Sequence, residues 1–260
     1  MKGIFDTHAH YMSDAFDTDR DEVLLQQWQN GVSAVIEQST CVQDVPQVLA
    51  LARRHPRVFA AVGIHPQLAA DVTEEQLAQV YAQCTAPKVV AVGEIGLDYH
   101  YEDACPREKQ KEIFERQLQW AKQLDLPVSV HDREAHADVM ALLCKYRPRG
   151  VIHCFSGSVE MMQQAVDMGL YIGLGGVVTF RNARKAVEVA AQVPLDRLLI
   201  ETDAPYMSPE PLRGKRCESQ LLRYVVEKLA QVRGVSEQQL RQKTFENACS
   251  LFGVQPENLI

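Results

Sequence analysis

The chain has no apolar run near the roughly 20 residues that a membrane-spanning helix requires, so no membrane span is expected. It does not open on a basic segment followed by a long apolar one, so no secretory signal is expected. No low-complexity or Pro/Ser-rich stretch divides it. The seven cysteines are scattered, odd in number and without a C-x-x-C pair. That pattern argues against a disulfide framework and for reduced thiols in the cytoplasm. Positive charge is also short: 27 Lys and Arg against 34 Asp and Glu leave a net charge of −7. That balance argues against broad electrostatic attraction to nucleic acid and does not exclude a locally positive site. Finally, no G-x-G-x-x-G follows the first strand-like run, so the commonest dinucleotide signature is missing.

What is present is an ordinary soluble composition, 46% hydrophobic and 23% charged, over 260 residues. That length suits one (β/α)8 barrel, which takes about 250 residues. We expect a single domain over residues 1–260. Strand-like runs fall at 3–7, 33–37, 57–63, 88–93, 127–130, 150–153, 170–174 and 198–202. Helix-like segments separate them, at 18–30, 44–54, 73–84, 106–124, 134–146, 158–168 and 182–192, and two more at 218–232 and 236–251 close the chain. Several starts carry a capping signature, among them Thr73-Glu-Glu-Gln76 and Ser236-x-x-Gln239. Strands alternating with helices make a parallel sheet covered by helices, closed or open.

The polar residues at the strand ends decide between the two. The first run ends Asp6-Thr7-His8-Ala9-His10. A strand alternates its side chains with period two, so His8 and His10 share a face and make half a metal site. Asp6 would share that face too. After the third run comes His65, after the fourth Glu94 and Asp98, after the fifth His131, after the sixth His153, after the eighth Glu201 and Asp203. In a barrel these ends form one rim, where barrel enzymes place their active sites. A TIM-like α/β barrel with a metal site at the C-terminal ends of its strands is therefore the expected fold. Glu201 shares a face with Asp203 and could orient a ligand. His55, His100 and His136 lie outside the pattern and read as surface or loop residues.

Imidazoles with carboxylates suit Zn, Mn, Fe, Co or Ni, and Mg where waters complete the shell. Four histidines, one Glu and one Asp exceed the needs of one tetrahedral ion. Two ions fit better, with Glu94 as the bridge from a central strand. Two divalent ions against two carboxylates leave a surplus of about +2, which favours an anionic substrate such as a phosphate ester. Paired ions also lower the pKa of bound water and stabilise the entering and leaving oxygens.

Taken together, Asp6-Thr-His-Ala-His10, Gly63-Ile-His-Pro66, Gly93-Glu-Ile-Gly-Leu-Asp98, His131-Asp-Arg133, His153-Cys-Phe-Ser-Gly-Ser158 and Glu201-Thr-Asp-Ala-Pro205 resemble the TatD-type metal-dependent deoxyribonucleases of the amidohydrolase superfamily. The resemblance keeps the motif order over nearly the whole chain. It implies phosphodiester hydrolysis by two divalent ions, Mg, Mn or Zn. One would be held by His8, His10, Glu94 and Asp203, the other by Glu94, His131 and His153. Asp203 would also take a proton from the attacking water. The implied substrate is DNA, single-stranded or at its 3′ ends, degraded as a 3′–5′ exonuclease does. His65, Arg133, Arg213, Lys215 and Arg216 are the candidate substrate contacts. The chain departs from the family pattern at Cys217-Glu218-Ser219, where Asn-Glu-Pro is usual.

Two other readings stay open. An amidohydrolase acting on an amide, lactone or aminoacyl ester would commonly bridge its metals with a carboxylated lysine, and here Lys88 lies at the opposite end of the fourth strand. A non-enzymatic metal-binding barrel would need a degenerate ligand set, whereas all the expected ligands are present.

Overall fold

The computed structural model describes all residues except 1, 2, 102, 104 and 260. Eight parallel strands follow one another around the sheet in chain order: β1 (Ile4–Ala9), β2 (Val32–Gln38), β3 (Val58–Ala61), β4 (Val89–Asp98), β5 (Val128–Arg133), β6 (Gly150–Ile152), β7 (Tyr171–Leu174) and β8 (Leu198–Ile200). The ring closes just past β8, where the Asp203 amide donates to the His8 carbonyl at 2.9 Å and the His10 amide donates to the Ala204 carbonyl at 2.7 Å. Helices α1 (Arg20–Gln29), α2 (Val45–Arg54), α3 (Glu74–Gln83), α4 (Arg107–Leu124), α5 (His136–Tyr146), α6 (Val159–Asp167) and α7 (Arg184–Gln192) alternate with the strands, and α8 (Leu222–Arg233) and α9 (Glu237–Phe252) follow the last. This is the TIM-like barrel. No described helix is long and apolar enough to cross a membrane.

Local chemistry explains the element ends. Both expected capping boxes form, Thr73 with Gln76 and Ser236 with Gln239. Gly234 and Gly253 end α8 and α9 in the left-handed conformation that glycine adopts without strain. Two apolar layers result. Outward side chains such as Val35, Val92, Val130 and Ile172 pack with the helices. Inward ones such as Phe5, Ala34, Ile36 and Ala91 join Phe245 and Phe252 of α9. The Phe5 ring lies 6.2 Å from that of Phe245 and 6.4 Å from that of Phe252, so α9 seals the barrel at the strand starts and leaves the other end for chemistry.

Three strands run further than the sequence suggests. β1 reaches Ala9, β4 reaches Asp98 and β5 reaches Arg133. His8, Glu94 and His131 therefore sit inside strand ends rather than in loops. β1 also shifts register against β2 between Asp6 and Ala9. The shift breaks period two, and Asp6 and His8 go to different places, contrary to the shared face expected of them. Irregularities of this kind re-aim side chains beside active sites.

Candidate metal centre

The Glu94 carboxylate stands at the centre of the rim. Its Oε1 lies 2.8 Å from His131 Nδ1 and 2.8 Å from His153 Nε2. Its Oε2 lies 3.4 Å from His8 Nε2 and 3.3 Å from His10 Nε2. Asp203 joins the second pair, with Oδ1 3.5 Å from His10 Nε2 and 3.8 Å from His8 Nε2. Within each pair the facing imidazole nitrogens are 3.2 Å apart. The rings of His8 and His153 stack at 3.7 Å between centroids. Five of the six candidate ligands thus line a cavity of about 640 Å³, and His8 lies buried beneath them.

Other strand-borne groups hold these rings. His131 meets Asp98 Oδ2 through Nε2 at 3.1 Å, and Gln67 steadies that carboxylate at 2.7 Å. His8 meets the Ser129 hydroxyl through Nδ1 at 3.2 Å. Glu201 accepts the Cys154 amide, and its Oε1 lies 3.6 Å from His153 Nδ1. A Cβ on Gly173 would come within 2.4 Å of Glu201 Oε2, so glycine there leaves room for the carboxylate. Glu37 accepts the amides of Tyr11 and Met12, each at 2.8 Å, and so fixes the chain just past His10. Asp98 and Ser129 follow from period two, lying four after Glu94 and two before His131. Glu37 has only the signal of an acid in an otherwise apolar strand.

Asp6 belongs to a buried scaffold instead. It accepts from the Thr202 amide at 2.9 Å, the Thr202 hydroxyl at 2.6 Å and the Ser219 hydroxyl at 2.6 Å. It thereby ties the strand carrying His8 to the one leading to Asp203.

The electrostatics are those of a cation site. Burial alone would raise Glu94, but His153, His65 and His8 outweigh it and hold the acid well below its usual range. Asp203 is lowered against burial by His10, His8 and His153. Burial works against the protonated imidazoles, yet Asp203 and Glu94 hold His10 well above the ordinary value. Glu94 and Glu201 likewise push His153 up to about 10. His8 goes the other way, lowered by burial and by His153. The carboxylates thus demand positive charge, and among the described residues lining the cavity Arg133 is the one basic side chain besides the histidines against them. His153 Nδ1 and Glu201 Oε2 are buried without a hydrogen-bond partner. Nitrogen and oxygen donors in this arrangement fit divalent ions. His8, His10 and Glu94 form one group with ligand atoms close enough for one ion; Glu94, His131 and His153 form a second.

The remaining candidates divide. His65 and Arg133 line the cavity, with His65 Nε2 3.7 Å from Glu94 Oε1. Burial lowers His65 to about 3, and its Nδ1 accepts the Gln67 amide at 3.2 Å. The neutral ring therefore carries its proton on Nε2, facing the cavity. The basic loop is not brought to the cavity wall. Arg216 is taken up by Asp19 at 2.7 Å and Glu218 at 3.0 Å. The Arg213 guanidinium lies over Phe180, 3.6 Å from the ring centroid. Lys215 is exposed. Among the outlying histidines, His100 is exposed and His136 half-buried, and they pair with Glu134 and Asp132. His55 lies in the loop that ends α2 but is buried rather than on the surface, and Asp21 accepts from it at 2.7 Å.

Comparison with known proteins agrees with this geometry. The family model described as TatD related DNase matches residues 5–253. The metal-dependent hydrolase YabD of Bacillus subtilis is 39% identical over 254 residues, covering 96% of this chain and 99% of its own. The 3′-5′ ssDNA/RNA exonuclease TatD of Salmonella typhimurium is 36% identical over 259 residues, covering 96% and 99%. The crystal structure of YJJV, a TatD homologue from Escherichia coli K12, superposes with a TM-score of 0.90 at 35% identity over 97% of this chain and 98% of that one. A barrel with this rim and these relatives places the chain in the TatD-related DNase family of metal-dependent hydrolases.

Proposed function

We propose that the chain is a two-metal phosphodiesterase that removes nucleotides from the 3′ end of single-stranded nucleic acid. The carrying observation is the division of the Glu94 carboxylate, Oε1 toward His131 and His153 and Oε2 toward His8 and His10. A carboxylate so divided would be shared by two divalent ions. Lys88, the residue a carboxylated-lysine bridge would need, donates instead to the carbonyls of Ala52, His55 and Pro56. The polarity and the single-stranded substrate follow the name of the Salmonella relative.

His8, His10, Glu94 and Asp203 would hold one ion, and Glu94, His131 and His153 the other. Bound there, divalent ions lower the pKa of water and neutralise charge on the phosphate oxygens. The chain's own residues do the rest. Asp203 receives the proton of the attacking water, its carboxylate being kept ionised by its lowered pKa. His65 donates through Nε2 to a phosphate oxygen. Arg133, on the cavity wall, pairs with the neighbouring phosphate.

The test is cleavage of a 3′-labelled single-stranded oligonucleotide by chelator-stripped protein resupplied with Mg, Mn or Zn. Metal content of Glu94→Gln and activity of Asp203→Asn are measured alongside. Stepwise shortening that needs metal and is lost in Asp203→Asn is expected, with metal content reduced in Glu94→Gln. No cleavage by metal-loaded wild type would overturn the reading.

A further inference from the structure

Five large hydrophobic side chains among the described residues are strongly exposed: Leu25, Leu68, Tyr101, Tyr206 and Met207. All but Leu25 line the opening of the metal-centre cavity. Tyr206 is 58% exposed and Tyr101 51%. Single exposed apolar residues scattered over a surface need no explanation, but their gathering around one opening does. None of them is used by the proton transfers or ligand geometry above.

The two tyrosines are also held in place. The Tyr206 amide donates to the Asp203 carbonyl at 2.8 Å, and the Cys217 amide to the Pro205 carbonyl at 2.9 Å. Met207 adopts a φ of 54°. A Cβ on Gly176 would come 1.8 Å from the Met207 carbonyl oxygen, so two backbones meet there without a side chain between them. On the other side of the opening, the Arg133 guanidinium lies 5.2 Å from the Tyr101 ring centroid. The His100 ring meets Tyr101 edge-on at 4.8 Å.

Charge supplies little of what a nucleic acid strand would need. The cavity wall carries the carboxylates of Asp14, Glu37, Asp44, Glu94, Asp98 and Asp203 against the single guanidinium of Arg133. Beyond the ion positions a polyanion finds no electrostatic track, and binding must draw on something other than phosphate. Aromatic faces do this for single strands, because every base has a π-face to stack.

We propose that Tyr101 and Tyr206, flanked by Leu68 and Met207, form a stacking collar for the nucleobases on either side of the scissile phosphate. The inference rests on the phosphodiesterase reading and adds to it the part of the substrate that the metal centre does not touch. A collar of this kind admits unpaired bases of any sequence. It rejects paired duplex, whose base faces are already covered.

The test uses metal-loaded enzyme and three readouts. A phosphorothioate-protected single strand carrying 2-aminopurine near its 3′ end reports stacking by fluorescence quenching. Quenching is expected with wild type and Tyr206→Phe, and its loss with Tyr206→Leu and Tyr101→Leu. On cleavable strands, kcat/KM should fall about tenfold in the leucine variants and by a similar factor when the base near the scissile phosphate is replaced by an abasic site. Hydrolysis of a small diester of two abasic deoxyriboses, which has no aromatic ring to stack, should be unchanged in all three variants. Equal rates on abasic and intact strands would overturn the collar. So would equal loss of the small diester in the leucine variants, since the tyrosines would then be holding the metal centre. Wild type that quenches 2-aminopurine but hydrolyses neither diester would sink the phosphodiesterase reading and leave the collar as a base-binding site. Quenching and cleavage of a duplex as good as of a single strand would overturn the collar alone.

Discussion

Asp98 and His131 meet at 3.1 Å, carboxylate Oδ2 to imidazole Nε2. Asp98 can only accept, so Nε2 carries a proton and Nδ1 is left to face Glu94 and the ion position. Burial would raise the acid, but its bonds with His131, His100 and Gln67 hold it below its usual range. It is therefore an anion that fixes both the tautomer and the tilt of one ligand ring. His8 has a neutral counterpart in Ser129, 3.2 Å from its Nδ1. The histidine pairs on the two sides of Glu94 thus differ in how strongly their rings are oriented.

Asp98→Asn keeps the shape and removes the charge. The amide can present its NH2 to Nε2 and turn the ring to the wrong tautomer. Metal affinity at the position formed with His153 and Glu94 should fall about 10- to 100-fold, the usual cost of losing such a partner. Calorimetric titration should show one of two binding events weakened and the other kept. Two unaltered events would refute the assignment.

Metal uptake should release protons. In the metal-free protein Glu94 and Glu201 push His153 up to about 10, and His10 and His131 are raised as well. His153 therefore holds a proton near neutral pH, and a protonated ring must lose its proton to bind an ion. Apparent affinity should therefore rise with pH until about 10 for the His153 position. Titrations in two buffers of different ionisation heat give the proton count directly. Uptake with no proton release would mean that the rings are not the ligands.

The barrel and its rim were legible because they rest on short-range patterns. His8 and His10 are two apart, and apolar runs ending in acids or histidines recur at strand spacing. The extent of β4 was not. The expected strand ends at 93, whereas β4 runs on to Asp98, and a Cβ on Gly96 would lie 2.0 Å from the His131 carbonyl oxygen. This glycine lets β4 pass close to β5, with Gly96 opposite His131 and Asp98 opposite Arg133. Nor does a run of positive charge announce its direction. Arg216 finds Asp19 across 197 residues of sequence, a partner that no local pattern could name.

Glu37 gives a pH signature outside the ligand set. Burial dominates its environment and pushes it up to about 7, although His10 and the amides of Met12 and Tyr11 favour its charged form. Its folded pKa thus exceeds the ordinary 4.5, so its contribution to stability is full below about pH 4.5 and is lost as pH rises to about 7. In metal-free protein, the unfolding free energy of wild type minus that of Glu37→Gln should fall across that window. The drop should be on the order of 3 kcal/mol, from about 1.4 per pKa unit. Denaturant melts at several pH values measure it, and a flat difference would contradict the buried, proton-holding acid.

Ser219 tests the position where the chain departs from the family pattern. Its hydroxyl bonds to Asp6 at 2.6 Å and its amide donates to the Tyr11 hydroxyl at 2.9 Å, a bond proline could not make. Asp6 also accepts from the Thr202 amide and hydroxyl and from the His8 amide, so the serine is one of four donors to a carboxylate buried between two ligand-bearing strands. Burial already raises Asp6 to about 6, and losing a donor raises it further. Ser219→Ala should therefore cost about 1–3 kcal/mol, the usual penalty for stripping a partner from a buried group. Because raising a carboxyl's folded pKa weakens the fold where the unfolded acid is ionised, the loss should be larger at pH 7 than at pH 4. Metal stoichiometry should be unchanged, since neither Ser219 nor Asp6 touches an ion position. A variant as stable as wild type at both pH values would show that the scaffold does not depend on this serine.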